Sequence, residues 1–174
     1  LDEDDLVPGL AYRYWEARGG TMVDITSPSP MAYGHVDGFT LTPVKRASKK
    51  RPTDFAIAYT GFVGVPRDGV YTFATFTEGH ASVSVAGARV VEQATSRKEP
   101  ALAKGTIALE AGLHSIEVFH LSGGDGESSP LKRDFRVGYT GPKGVKRDQI
   151  RFFRRANHLR ISPPSGFFDG PLVV

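Results

Sequence analysis

The feature that most constrains this chain is a two-residue alternation that returns along its length. In DFAIAYTGFV the apolar side chains of Phe55, Ile57 and Tyr59 recur at every second position. The same spacing gives Ala81, Val83 and Val85 in ASVSVAG, and Phe135, Val137 and Tyr139 in DFRVGY. A period of two lines one face of a β-strand, whereas a helix needs 3.6. AYRYWE, GVYTFATF, ARVVEQ, GTIALE and HSIEVFHL supply further strands, and PRDG, AG and EAG between them carry turn residues. No long amphipathic helical pattern is present; QIRFFRRA reads as a basic turn or two. Many short strands joined by Gly and Pro turns predict an all-β fold, an antiparallel β-sandwich.

Two stretches break the hairpin rhythm. Ser27 to Pro52 holds three prolines ahead of a basic run and reads as a long loop interrupted by a short strand at GFTL. SGGDGESSP, from Ser122 to Pro130, is too polar and glycine-rich for a strand and reads as an exposed loop, the kind of segment that carries binding. The expected organisation is an acidic linker over residues 1–7, one domain over 8–162, and a linker or the start of a following module over 163–174. A chain of 174 residues can bury roughly 70% of its unfolded surface, enough for one core without cross-links. It begins at Leu1 with no charged-then-apolar leader, as a piece of a longer protein would.

Composition narrows the chemistry. With no cysteine there are no disulfides and no thiolate metal sites, and no apolar run approaches the roughly 18 residues of a membrane span. The net charge of +3 is modest, but LDEDD is acidic while KRASKKR and KGVKRDQIRFFRRANHLR are basic. Nucleic-acid modules interleave exposed aromatics with their cations, and here many of the lysines sit in a Pro-rich loop. Nucleic acid is therefore not the expected partner. A solvated surface is the first reading of these runs and an acidic polysaccharide the second, because guanidinium groups pair with carboxylate or sulfate oxygens.

For catalysis the chain offers no Gly-x-Ser-x-Gly, no phosphate-cradling loop before Lys-Ser/Thr and no two-His metal helix. Asp125 and Glu127 share a glycine-rich loop with neither the burial nor the rigidity that splits two carboxyl pKa values. His35, His80, His114, His120 and His158 show no zinc-ligand spacing and read as surface or hydrogen-bonded residues. Tyr12, Tyr14 and Trp15 could stack on a sugar ring, but a first strand places most such aromatics in the core.

FAIAYTGFVGVPRDGVYTF, VSVAGARVV, GTIALEAGLHSIEVFHLSGG and FRVGYTGP, taken in that order, resemble the PA-fourteen domain family, named after the protective antigen of a bacterial toxin. PGLAYRYWE is similar to the family's first strand, so the resemblance runs from about Pro8 to Pro142. It implies a β-sandwich of the PA-fourteen type serving as a carbohydrate-binding accessory module of a larger secreted, periplasmic or cell-surface protein, associated with glycoside hydrolases or adhesins. SPPSGFFDGPLVV is similar to the linker and first strand of a chitobiase-type carboxy-terminal domain.

In the family's calcium-dependent adhesins two adjacent aspartates stand five and six residues beyond the Phe of Tyr-x-Phe. Counted from Phe73, those positions hold Glu78 and Gly79, and the Asp of the later Asp-Gly turn is Ala86. Calcium wants six to eight oxygens, so the resemblance implies a module without its usual metal pair. The expectation is no metal and no cofactor, with Glu78, Gly79, His80, Asp125 and Glu127 as the ligand-binding edge. The expected partners are a glycan or polysaccharide, neutral or acidic, and neighbouring domains of the same polypeptide. The alternative is a structural spacer with no ligand of its own. An enzyme in its own right is not expected.

Overall fold

A computed structural model describes residues 5–16, 29–47, 55–94, 100–122 and 135–156. Within them the strands are β1 (Leu6–Pro8), β2 (Leu10–Glu16), β3 (Ala32–Val36), β4 (Phe55–Val65), β5 (Gly69–Thr77), β6 (His80–Val85), β7 (Ala88–Gln93), β8 (Ala101–Leu109), β9 (Gly112–Ser122), β10 (Arg136–Thr140) and β11 (Arg151–Arg155). One short helix, α1 (Thr42–Ala47), follows β3. All pairings are antiparallel. The larger sheet runs β7-β6-β9-β4, and β4 then divides its far edge between two partners. Its first half pairs with β2, which carries β3, and its second half with β11, which carries β1. Gly61 marks the division: a Cβ there would lie 2.5 Å from the Phe153 carbonyl oxygen and 2.9 Å from Leu10 Cδ2. The smaller sheet is β10-β5-β8.

The period-two residues face one another between the sheets. Phe55, Ile57, Tyr59 and Val63 of β4 join Ala81, Val83 and Val85 of β6 and Ile116 and Val118 of β9. Tyr71 and Phe73 of β5 and Phe135 and Val137 from the β10 region meet them from the smaller sheet. Each of the larger side chains contributes roughly 1.5–3 kcal/mol on burial, so the alternation read in the sequence is what holds the layers together. The β-sandwich is therefore as expected. Tyr14 is fully buried and Trp15 nearly so, as a core strand requires.

Three local readings are corrected. In the Pro-rich stretch the strand is Ala32–Val36, paired with β2, and GFTL is not a strand. α1 follows instead: the Thr40 hydroxyl accepts from the Thr42 amide, and Pro43 sits in the first turn, where a missing N–H costs nothing. QIRFFRRA is one 3₁₀ turn over Arg147–Gln149 followed by β11, not a pair of basic turns. Leu6 and Val7, placed in a linker by their acidic neighbours, pair with Arg155 and Arg154. The chain beyond residue 156, including the chitobiase-like segment, lies outside the described residues.

Candidate functional site

At one end of the sandwich β2, β7 and β9 finish and β4, β8 and β6 begin, as the pairings Glu16↔Phe55, Phe55↔Ser122, Ala81↔Gln93 and Thr77↔Ala101 require. β5 ends there at Thr77 and β6 starts at His80, so Glu78 and Gly79 alone carry the chain from the smaller sheet to the larger. The Gly79 amide donates to the Thr77 hydroxyl at 3.1 Å. Gly79 is buried against β9: a Cβ on it would lie 2.3 Å from the Leu121 carbonyl oxygen and 3.0 Å from His120 Cε1. A side chain there would force the β9 backbone to shift, which disfavours an aspartate at this position. Glu78 remains, half-buried at the turn.

His80 points to the outer face of the larger sheet. Its Nε2 is 2.5 Å from Glu92 Oε1 on β7, and its ring centre is 6.0 Å from that of Phe119. Arg89 donates to the other Glu92 oxygen. Burial alone would raise the Glu92 carboxyl, but the His80 hydrogen bond and the charges of Arg89 and His80 outweigh it and hold the group below its ordinary value. His80 is thus a held residue.

Behind this surface buried polar groups tie the strands together, while the buried Ser122 hydroxyl has no hydrogen-bond partner among the described residues. His120, on the core face, stacks on Phe135 at 4.4 Å and meets the Phe55 ring edge-on at 5.8 Å, while its Nδ1 donates to the His80 carbonyl at 3.2 Å. The Thr75 hydroxyl donates to Gln93 Oε1 at 2.6 Å, and Gln93 Nε2 donates to the carbonyls of Thr77 and Ala101, each at 2.8 Å. Gln93 thereby ties β5, β7 and β8 together where the chain turns. Sequence reasoning read His120 only as a surface or hydrogen-bonded residue and gave Gln93 no role. The signal was their phase: His120 falls in step with Ile116 and Val118, and Gln93 with Val91.

Asp125 and Glu127 lie outside the described residues. Ser122 before them and Phe135 after them both belong to this end, the first opposite Phe55 and the second against His120. Ala86 does not. β6 carries it roughly 17 Å from the Glu78 turn at about 3.3 Å per residue. It forms with Gly87 the two-residue β6–β7 turn, with φ of 51° and 78°. The carboxylate expected at Ala86 therefore has nothing to do with a metal shared with Glu78; an Asp-Gly pair there suits a turn whose two residues are both left-handed. Among the described residues no three His, Asp or Glu side chains gather as metal ligands. With one carboxylate at the turn and Gly79 against β9, the described residues by themselves do not supply the six to eight oxygens that calcium takes.

The opposite end is different in kind. There the β4–β5 turn, the β8–β9 turn and residues 141–150 pass between the sheets. Arg67 donates to the Lys143 carbonyl, Asp68 accepts from the Ala111 amide at 2.7 Å, and the Arg147 guanidinium lies 4.8 Å over the Tyr139 ring.

Two antiparallel sheets packed face to face define an all-β sandwich module. The sequence profile of the PA14 domain matches residues 6–151, and the chain belongs to the PA14 domain family. Comparison with curated protein sequences gives no match. Among solved structures, the PA14 domain of the MpAFP antifreeze protein is similar at a TM-score of 0.61 and 14% identity, over 86% of this chain and 92% of that one. The Epithelial Adhesin 9 A domain of Candida glabrata, solved with Galb1-4GlcNAc, has a TM-score of 0.58 and 9% identity, over 93% of this chain and 96% of that one. The β-glucosidase of Kluyveromyces marxianus, solved with glucose, has a TM-score of 0.57 and 17% identity over 80% of this chain, which spans 17% of the enzyme. These likenesses establish the shared fold. No helix among the described residues is long and apolar enough to cross a membrane.

Proposed function

We propose that this chain is a non-catalytic, metal-independent glycan-binding module of a larger secreted, periplasmic or surface protein, with the Glu78 turn as its binding edge. The observation that carries this reading is the convergence of the Glu78 turn with the strand ends on either side of the Asp125–Glu127 stretch. Glu78, Asp125 and Glu127 accept sugar hydroxyls there, Gly79 lets the turn lie close against β9, and His80, held by Glu92, forms the flank. Each hydrogen bond contributes about 0.5–1.5 kcal/mol net, so a handful of them gives a dissociation constant on the order of 1 mM. The C. glabrata adhesin domain, solved with a disaccharide, and the K. marxianus glucosidase, of which a region like this chain is a small part, support the reading. The domain we propose spans 6–162, its edge strand β1 included, with a short acidic linker before it and the start of a chitobiase-type module after it.

A glycan array followed by calorimetric titration tests the edge. Binding to one neutral glycan class that is lost in Glu78→Ala with Asp125→Ala supports it; binding unchanged in that variant, or none to any glycan, removes it. Turnover of a chromogenic glycoside by the chain alone, abolished by a single substitution, would show an enzyme instead. A second reading, a spacer that packs on a neighbouring domain, draws on the smaller sheet's outer face, where Leu102, 57% exposed, pairs with Phe76 and Val70, 56% exposed, lies toward the other end of β5. Fusing the natural neighbouring domain and finding Leu102 protected from labelling would favour it.

A further inference from the structure

We propose that the outward face of β11 and the adjoining turns form a second site, for an acidic polysaccharide carrying carboxylate or sulfate groups. It stands apart from the loop-end reading because it uses none of the same residues.

β11 pairs with β4 so that Phe153 lies opposite Phe62 and Arg151 opposite Gly64. Phe152 turns into the core, where its ring meets Phe39 at 5.1 Å and Tyr139 at 4.9 Å. Arg151, Phe153 and Arg155 therefore share the opposite, outward face. With about 3.3 Å of rise per residue, the two arginines leave the strand roughly 13 Å apart with the ring midway. The ring is braced: a Cβ at Gly64 would lie 3.0 Å from Phe153 Cε2 and 3.4 Å from Leu113 Cδ2, so the phenyl group occupies space that a side chain on Gly64 would take. Arg151 and Arg155 are exposed and Phe153 is half-buried.

Among the described residues no carboxylate pairs with the cations of this stripe. Between Lys143 and Arg155 the sequence has six cations and one acid, Asp148. The ion pairs of His80 and Arg89 converge on Glu92, and neither Arg67, Lys143, Arg151 nor Arg155 has a carboxylate within ion-pairing distance among the described residues. Asp68 is turned to the Ala111 amide, and Arg67 fastens the β4–β5 turn to Lys143, which extends the cationic surface over the end of the sandwich. Clustered, unpaired cations hold counterions, and a polyanion that replaces them releases those ions into solution. Guanidinium forks match carboxylate and sulfate oxygens bidentately, and a braced ring between two such forks gives the apolar face of a pyranose something to lie on. A single-stranded nucleic acid needs successive exposed aromatics for successive bases, and this face offers one half-buried ring.

The test is calorimetric titration of the chain with oligogalacturonate and with dextran sulfate, against size-matched neutral dextran and a single-stranded oligodeoxynucleotide, at about 50 and 200 mM salt. The expected result is binding to at least one acidic polysaccharide and none to dextran. Arg151→Gln with Arg155→Gln should weaken it about tenfold or more and reduce the salt slope by about two ions, while Phe153→Leu weakens it at an unchanged slope. Glu78→Ala should leave it untouched. If the double variant melts early, Arg67→Gln with Lys143→Gln carries the same comparison. Absence of binding to both polyanions at the lower salt, affinity unchanged in the charge variants, or tighter binding of the oligonucleotide than of either polysaccharide would each overturn the proposal.

Discussion

The two ends of the sandwich use polar residues in opposite ways. At the Glu78 end the polar groups are spent on one another: Gln93 bonds three backbone or hydroxyl partners, His120 is clamped between Phe55 and Phe135, and His80 and Arg89 share Glu92. At the other end cations stand exposed, and the contacts they make, Arg67 on a carbonyl and Arg147 on a ring, bring no carboxylate to them among the described residues. The first arrangement fixes a shape and the second offers a field. A position inherited from a family's binding edge is thus not a site by virtue of its place alone. What matters is which side chains are left over after the packing is satisfied.

The sharpest way to break this contrast is to remove the packing that defines the first end. Phe135 is 8% exposed and stacks on both His120 and Tyr59, so Phe135→Ala should lower stability by about 4 kcal/mol through the cavity it leaves. Urea unfolding followed by Trp15 fluorescence measures it. A loss of under about 1 kcal/mol would mean that this end is not the rigid one.

Gly79 tests the same end from the opposite direction, by adding atoms. Gly79→Ala forces a methyl against the Leu121 carbonyl and should cost about 3 kcal/mol, and Gly79→Asp should cost at least as much. Neither variant nor the parent chain should show a rise in melting temperature with excess calcium, since mass action stabilises a fold only where the ion has a site in it. A chelator-reversible rise would show that Glu78 and its neighbours do assemble one.

Ala86 should respond with the opposite sign. A non-glycine residue at φ 51° sits in the left-handed region, where Asn is better accommodated than Ala, so Ala86→Asn should stabilise by about 1 kcal/mol. Ala86→Asp should behave in nearly the same way and be indifferent to calcium, because the turn lies at the far end of β6. A calcium-dependent gain in the aspartate variant would join the two ends into one site.

Much of this architecture was legible in the sequence because burial on one face of a strand writes itself as alternation. Phe55-Ile57-Tyr59, Ala81-Val83-Val85 and Phe135-Val137-Tyr139 all face inward, Tyr139 only partly buried. β11 was not legible. RFFRR places Phe152 inward and Phe153 outward between arginines on both faces, so its period is lost and its charge suggests a surface turn. β3 was hidden because its burial alternates only between exposed and partial, and α1 because a six-residue helix opened by Thr-Pro has too few turns to show a period. At the candidate site, counting from Phe73 located Glu78 and Gly79, yet the meaning of Gly79 required the Leu121 carbonyl on β9, some forty residues away in sequence. Close contact across strands leaves no local mark beyond the glycine itself.

The smallest effect expected concerns Glu92, and its sign separates a shape-fixing role from a charge-bearing one. Its carboxyl is held below the ordinary 4.5, so its contribution to stability is present above that pH and is lost as pH falls through the lowered folded value. The side chain is 53% exposed, and water and salt screen the pair, which limits the contribution to roughly 0.5 kcal/mol. Glu92→Gln should therefore unfold within about 0.5 kcal/mol of the parent chain at pH 7, and the difference should vanish on acidification below the carboxyl range or at about 1 M salt. Denaturant midpoints measured from pH 7 down to pH 3 check this. A difference that persists at pH 3 would mean that Glu92 acts through packing and not charge; one well above 1 kcal/mol at pH 7 would make the outer face of this end depend on its ions as the arginine end does.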